Sequence, residues 1–193
     1  EGGMVVTPDA ALASRMKTMR LHGINRDVFD RYSSSKPSWH YDVVAPGYKY
    51  NLTDTAAAMG RVQLRRTPEM VAKRTSIAER FDAAFAELPV TLPTHAREGS
   101  SHAWHIYNLR LRSDASVGRD RFIELMAERG VGTSVHFIPL HLQPYWRDTY
   151  HLAPEQFPVA SAQFERSLSL PIFSAMTDED VQHVIESVQG ILA

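Results

Sequence analysis

Helical spacing of apolar residues is clearest near the end of the chain, where Val181, Val184, Ile185, Val188 and Ile191 share one face. Thr177 and the acidic run Asp178, Glu179 and Asp180 precede it, a hydroxyl and negative charge suited to the free N–H groups of a first turn. A longer stripe, Met70, Ile77, Phe81, Phe85 and Leu88, is opened by Thr67-Pro68-Glu69 and stopped by Pro89. Gly118 to Arg129 is a further predicted helix, with Phe122, Leu125 and Met126 inward and Gly130 behind it. Between these, Trp104, Ile106, Asn108 and Arg110 alternate with His105, Tyr107, Leu109 and Leu111, the period of a strand. Thr133 to Ile138 predicts another strand. Ser167 to Phe173 predicts a short extended segment that Pro171 confines to an edge or an end. From about residue 68 the order is helix and strand in alternation, so an α/β or α+β lobe is expected, with one sheet covered by helices.

The first third of the chain is patterned differently. Gly2-Gly3 followed by Met4-Val5-Val6 predicts a turn into a short buried strand, and Thr7-Pro8-Asp9 predicts a capped helix start with proline in the first turn. Leu12, Met16 and Met19 space as one face of that helix, which His22-Gly23 closes. Residues 23 to 52 form a connection too long for an ordinary loop, and they hold Trp39, His40, Tyr41, Tyr48 and Tyr50. Aromatic rings at that density are expected to pack, either on their own domain or on a partner or ligand. Thr53-Asp54 then caps a helix to about Arg66, whose first half, Ala56 to Gly60, is small-sided and permits close approach of another backbone.

Composition narrows the function classes. The chain has 193 residues, 44% of them hydrophobic and 22% charged, enough for one good core or two modest ones. A formal charge of -1 removes the broad basic surface of a nucleic-acid binder. The absence of cysteine excludes disulfides and thiolate metal sites. No apolar run approaches membrane-spanning length, and a cytoplasmic protein is expected. Nine histidines draw attention, yet neither His102 with His105 nor His136 with His141 carries the companions of a zinc motif, so no metal is expected. Glycine-rich dinucleotide fingerprints, phosphate-binding loops and nucleophile elbows are likewise missing. His136, on the predicted strand end in SVHFIPLH, reads equally as a packed histidine or a ligand contact.

EGGMVVT, LHG, GYKYNLTDTAAAMGRVQL, HAWHIY, SVHFIPLHLQPYW and SLPIF followed by TDEDVQHVIESV occur in this order along the whole chain. The set resembles the pyridoxal 5'-phosphate (PLP)-dependent nucleotide-sugar aminotransferases, of the aspartate-aminotransferase-like fold type I group. GYKYNLTDTAAAMG and SVHFIPLH are the most specific segments. The resemblance implies a C-terminal half: residues 1–67 as the end of the large PLP-binding α/β domain with an interface arm and a linker helix, and residues 68–193 as a C-terminal α+β small domain. It also implies that the Schiff-base lysine lies upstream of Glu1. Lys17, Lys36, Lys49 and Lys73 do not occupy its place, and PLP chemistry requires such an amine. The chain is therefore expected to be part of a longer polypeptide and inactive alone.

The same resemblance implies a homodimer with its active site at the interface, in which the GYKYN turn reaches the PLP phosphate of the other subunit. Lys49 stands where many relatives carry asparagine, and Asn51 follows two residues later; either side chain suits a phosphate, one by charge and one by a neutral donor. Tyr48, beside them, is an implied substrate contact. His136 and His141 fall where the family contacts substrate. The implied reaction moves an amino group from glutamate to a keto-sugar linked to a nucleotide, for polysaccharide or related biosynthesis, without nucleic acid or membrane as partner. Two other readings stand beside it, a PLP- or PMP-dependent sugar dehydratase on the same scaffold and a non-catalytic dimerisation or regulatory module.

Overall fold

The computed structural model describes residues 2–25 and 41–193. Two compact units divide the chain, Glu1–Arg65 and Arg66–Ala193. Trp39 and His40 lie outside the described residues.

In the first unit, helix α1 spans Ala10–Met19. Asp9, not Thr7, is its cap: Asp9 Oδ1 accepts from the Ala11 and Leu12 N–H groups at 2.8 and 3.1 Å, while Thr7 Oγ1 accepts from the Asp9 N–H. Pro8 consequently sits before the helix rather than in its first turn. The helix ends at Met19, earlier than His22-Gly23, although the Gly23 N–H still returns to the Thr18 carbonyl as a helix-terminating glycine does. Met4, Val5 and Val6 form no strand and are 82%, 70% and 87% exposed. Among the described residues no neighbouring strand offers them a ladder, and an extended segment without one has neither hydrogen bonds nor a covered face.

Helix α2 spans Asp54–Phe85 without interruption. Thr53 begins it as expected, its Oγ1 accepting from the Ala56 N–H. A second start at Thr67-Pro68 does not occur, and Pro68 lies inside the helix. Proline removes one N–H and crowds the preceding turn, yet it does not forbid helix on both sides. The small-sided turns and Met59, Val62 and Leu64 are exposed, whereas Ile77, Ala78, Phe81 and Phe85 are buried.

The second unit is built on a three-stranded antiparallel sheet in the order β1-β2-β3, with β1 at Val90–Thr91, β2 at Tyr107–Leu111 and β3 at Ser167–Leu170. Tyr107 faces Leu170 and Val90 faces Leu111 across the ladders. Alternation decides what each face does: Tyr107, Leu109 and Leu111 are buried against α2, α3 (Arg119–Glu128) and α6 (Asp178–Leu192) through Phe81, Phe122, Met126, Val181 and Val188. Thr177 and Asp180 close a reciprocal capping box at the start of α6, with bonds of 2.8 and 3.1 Å. The backbone and hydroxyl bonds from Thr177 hold the Asp180 carboxyl below the usual carboxylate range.

Residues 133–138 are not a strand. Ser134 exchanges two backbone hydrogen bonds with Ser169 and the pairing stops there. Extending it one way would meet Pro171, which has no N–H. The other way it would meet Ser167, whose N–H is committed to the Gln163 carbonyl at the end of helix α5, Pro158–Arg166. Between Ser134 and α5 the chain makes a 3-10 turn at Leu140–Leu142, helix α4 at Pro144–Tyr150, and a second 3-10 turn at Pro154–Gln156.

Candidate functional site

Each unit carries a candidate region. In the first, residues 41–52 are laid along the end of α1 by backbone bonds: the His22 N–H donates to the Tyr48 carbonyl, the Tyr48 N–H to Met19, and the Tyr50 N–H to Arg20. Contact is so close that only glycine fits at two points. A Cβ on Gly47 would fall 2.0 Å from the Gly23 nitrogen, and one on Gly23, whose φ is +73°, would fall 1.8 Å from the Ala45 oxygen. A rigid backbone thus carries alternating side chains of opposite character. Tyr48 and Tyr50 stack with centroids 4.9 Å apart and planes 6° apart. Lys49 Nζ donates to Asn51 Oδ1 at 2.6 Å. The sequence left Lys49 and Asn51 as alternatives, and the fold brings them together.

That pair has the donor set for a phosphate. One ammonium proton is used on Asn51, which leaves the remaining Lys49 protons and the Asn51 amide to donate outward from an exposed arm.

In the second unit a cavity of about 290 Å³ opens among His136, Asn108, Gln163 and Phe137. Sequence reasoning had weighed His136 as a ligand contact or a packed ring, and the structure puts it at the cavity wall with Nδ1 3.0 Å from Ser169 Oγ. Asn108 arrives from the outward face of β2, opposite its buried neighbours Tyr107 and Leu109. His141 is placed otherwise. It is 5% exposed, its Nε2 lies 3.0 Å from Ser161 Oγ, and its ring stacks on Phe157 at 4.7 Å. His141 is in the wall neither of this cavity nor of its neighbour at Arg119 and Gln143.

Next to the first cavity lies a more open one of about 480 Å³, walled by Val135, Phe137, Ile138 and Phe164 with the polar groups of Arg119 and Gln143. Val135, Phe137 and Phe164 belong to both walls. Arg119 is held by Asp120, which accepts from its Nε at 2.7 Å, by the Phe164 carbonyl, which accepts from Nη1, and by the Phe164 ring 4.7 Å from the guanidinium carbon. Sequence reasoning missed Asn108, Gln163, Ser169 and Arg119. Asn108 had a signal, a polar residue in mid-strand, while Arg119 in the charged run RDR had none.

A further polar cluster fixes the loop that enters β2. The Tyr107 hydroxyl donates to Asp82 Oδ1 at 2.7 Å, and His95 Nε2 lies 2.7 Å from Asp82 Oδ2. Burial, then the hydrogen bond and charge of Asp82, push the Tyr107 hydroxyl well above the usual phenol range.

Residues 1–189 match the DegT/DnrJ/EryC1/StrS aminotransferase family. Spore coat polysaccharide biosynthesis protein SpsC of Bacillus subtilis is 41% identical over 194 residues, covering 100% of this chain and 50% of SpsC. Among solved structures, the PMP form of Spr1654 from Streptococcus pneumoniae superposes with a TM-score of 0.79 at 31% identity, over 91% of this chain and 43% of Spr1654. The aminotransferase TlmJ from Streptoalloteichus hindustanus gives a TM-score of 0.73 at 32% identity, over 95% of this chain and 45% of TlmJ. The chain spans about half the length of the curated relatives it matches.

Proposed function

The chain belongs to the DegT/DnrJ/EryC1/StrS aminotransferase family and has part of the fold type I aminotransferase architecture, and from that premise we propose that the full-length protein is a PLP-dependent aminotransferase acting on a nucleotide-linked keto-sugar. Glutamate is the proposed amino donor. The enzyme works as a cytoplasmic homodimer, and the lysine that carries the cofactor comes from sequence preceding this chain. The observation that carries the reading is the exposed Lys49–Asn51 pair on a backbone locked by Gly23 and Gly47. An outward-facing ammonium and amide on a rigid arm suit an anion held by another subunit. The exposed turns of α2 with Met59, Val62 and Leu64 suit burial in the same dimer. The polysaccharide role in the name of SpsC and the PMP bound in Spr1654 support the substrate class and the cofactor.

Bound PLP supplies the electron sink that lets an amino group leave one carbon and reach another. The residues of this chain bind and orient. Lys49 neutralises the phosphate as a point charge, and Asn51 adds a directed N–H donor. Tyr48 stacks on Tyr50 and is exposed, and its hydroxyl is the proposed substrate contact of the arm. Ser169 fixes the ring of His136 through Nδ1 and leaves Nε2 to bond a sugar hydroxyl, with Asn108 and Gln163 providing further polar groups on the same cavity. His141 is bonded to Ser161 of α5, the helix that also carries Gln163, and stacks on Phe157.

The test uses the full-length protein with Lys49→Ala and Asn51→Ala combined. Cofactor retention after dialysis, read from the visible absorbance of bound PLP, is expected to fall, as is formation of 2-oxoglutarate from glutamate and a nucleotide-linked keto-sugar. Unchanged retention rejects the phosphate role of the arm. Absence of bound PLP in the wild-type protein rejects the enzyme reading.

A further inference from the structure

We propose that residues 92–106, which join β1 to β2, form a pH-sensitive strap seated on Trp104, closed when His95 carries a proton and His102 does not. The strap contributes no residue to either cavity wall, so it stands outside the proposed reaction and does not rest on it. Trp104 is 3% exposed, although it belongs to no helix or strand. Its φ of +46° places it in the left-handed region, which a residue with a bulky side chain adopts only where its neighbours hold it there. Those neighbours are identifiable. The Trp104 N–H donates to His102 Nδ1 at 2.9 Å, and its ring meets the rings of His102 at 4.2 Å, His95 at 5.5 Å and Tyr107 at 6.0 Å. The tip of the strap, by contrast, turns through Gly99, where a Cβ would find nothing within 4 Å.

The two histidines require opposite protonation states. His102 Nδ1 accepts a backbone N–H, so its lone pair is in use and the ring hydrogen belongs on Nε2. A proton added to Nδ1 would set two N–H groups against each other and release the Trp104 backbone. His95 is placed the other way. Its Nε2 lies 2.7 Å from Asp82 Oδ2, and that oxygen is buried without a hydrogen bond, because the approach is too oblique for the ring N–H to point at it. An oblique contact gives a neutral ring little, whereas an imidazolium gains from charge, which depends on distance more than on direction. Among the described residues no other cation pairs with Asp82, whose side chain is only 16% exposed. A covered carboxylate without a cation loses hydration and gains nothing in exchange, so the proton on His95 completes it.

The other titratable groups nearby do not substitute for these two. The Tyr107 hydroxyl donates to Asp82 Oδ1 at 2.7 Å, and burial and Asp82 hold it protonated well above the usual phenol range, so it stays neutral. Arg80 of α2 is committed to Asp178. Arg97, Glu98 and His105 are exposed, and none forms an ion pair or ring contact with His95, His102 or Asp82 among the described residues. A histidine changes charge between about pH 5 and pH 8. Toward acid, His102 gains a proton and lets Trp104 go; toward alkali, His95 loses its proton and lets Asp82 go. Seating is therefore greatest within that range and declines on both sides.

The experiment uses full-length protein labelled with 5-fluorotryptophan, the Trp104 fluorine signal being identified by its loss in Trp104→Phe. Its position is followed from about pH 5 to pH 8 in wild type, His95→Gln, Asp82→Asn and His102→Asn, the last keeping an acceptor that does not titrate. Wild type is expected to shift at both ends of the range. His102→Asn is expected to keep only the alkaline shift, and His95→Gln and Asp82→Asn only the acid one. Across each limb the unseated population should rise roughly twofold to fivefold, as for an ion pair or hydrogen bond with one exposed partner. Asp82→Asn retains the His95 ring, so its agreement with His95→Gln separates loss of charge from loss of packing. A signal that does not move in wild type, or a limb that survives in the variant designed to remove it, overturns the strap. Neither outcome touches the aminotransferase reading, which is followed by PLP content on the same samples.

Discussion

Tyr107→Phe isolates one polar contact inside the core and tests the packing of the second unit. The ring is fully buried at the head of β2, against Phe81 at 5.1 Å, so phenylalanine keeps the shape and the apolar contact. What is lost is the hydroxyl donor to Asp82 Oδ1 at 2.7 Å. A hydrogen bond to a charged group contributes about 1.5 to 3 kcal/mol, and among the described residues only His95, 2.7 Å from Oδ2, would remain beside the Asp82 carboxylate, so a loss of about 2 kcal/mol is expected. For a chain of this size that corresponds to a fall of about 4 to 8 °C in the thermal midpoint. Calorimetry at neutral pH measures it. The same residue sets a pH signature. Its hydroxyl stays protonated in the folded protein at pH values where an unfolded tyrosine, near pH 10, has lost its proton. Unfolding above about pH 10 therefore releases a proton, so alkali favours the unfolded chain, and the contribution is fully present below that pH. The Tyr107→Phe protein should lose less stability than wild type between about pH 9 and pH 11. A midpoint within about 1 °C of wild type at neutral pH, together with parallel alkaline slopes, would refute the reasoning.

Two other substitutions probe different levels of the structure. Gly47→Ala places a methyl group 2.0 Å from backbone, where no side-chain movement relieves it, so the arm must shift; faster amide exchange at Tyr48 and Tyr50 should follow, with the second unit's exchange unchanged. Thr177→Ala removes one half of the capping box on α6 and should lower the thermal midpoint by about 2 to 4 °C, with Thr177→Ser recovering most of it.

The helices with a strong stripe and a chemical start were legible in the sequence because both signals are local. Thr177 with its acidic turn, the Val181 to Ile191 face, and the buried run through Ile77, Phe81 and Phe85 all follow from a 3.6-residue period and from N–H groups that need acceptors. The alternation of β2 was equally plain, although it left open which set faces inward. Where the prediction failed, a distant partner decided. Met4-Val5-Val6 and Thr133 to Ile138 have strand-like composition, but a strand exists only by pairing, and the pairing of Ser134 is limited by Pro171 and by the prior use of the Ser167 N–H. At Pro68 a good local start signal was overridden because the helix was already running.

The candidate site divides along the same line. Motif order along the chain pointed to GYKYN and to SVHFIPLH, since residue identity is all that a motif needs. Composition could not say that Lys49 and Asn51 would bond to one another, that His136 would face a cavity while His141 was buried against Ser161 and Phe157, or that Arg119 at the start of α3 would arrive beside Phe137 and Gln143 of a later non-helical stretch. Those are facts of distance. Period and capping act over a few residues and are written in the chain directly, whereas a cavity is the space left when separated elements have packed, and its polar groups are chosen by that packing alone.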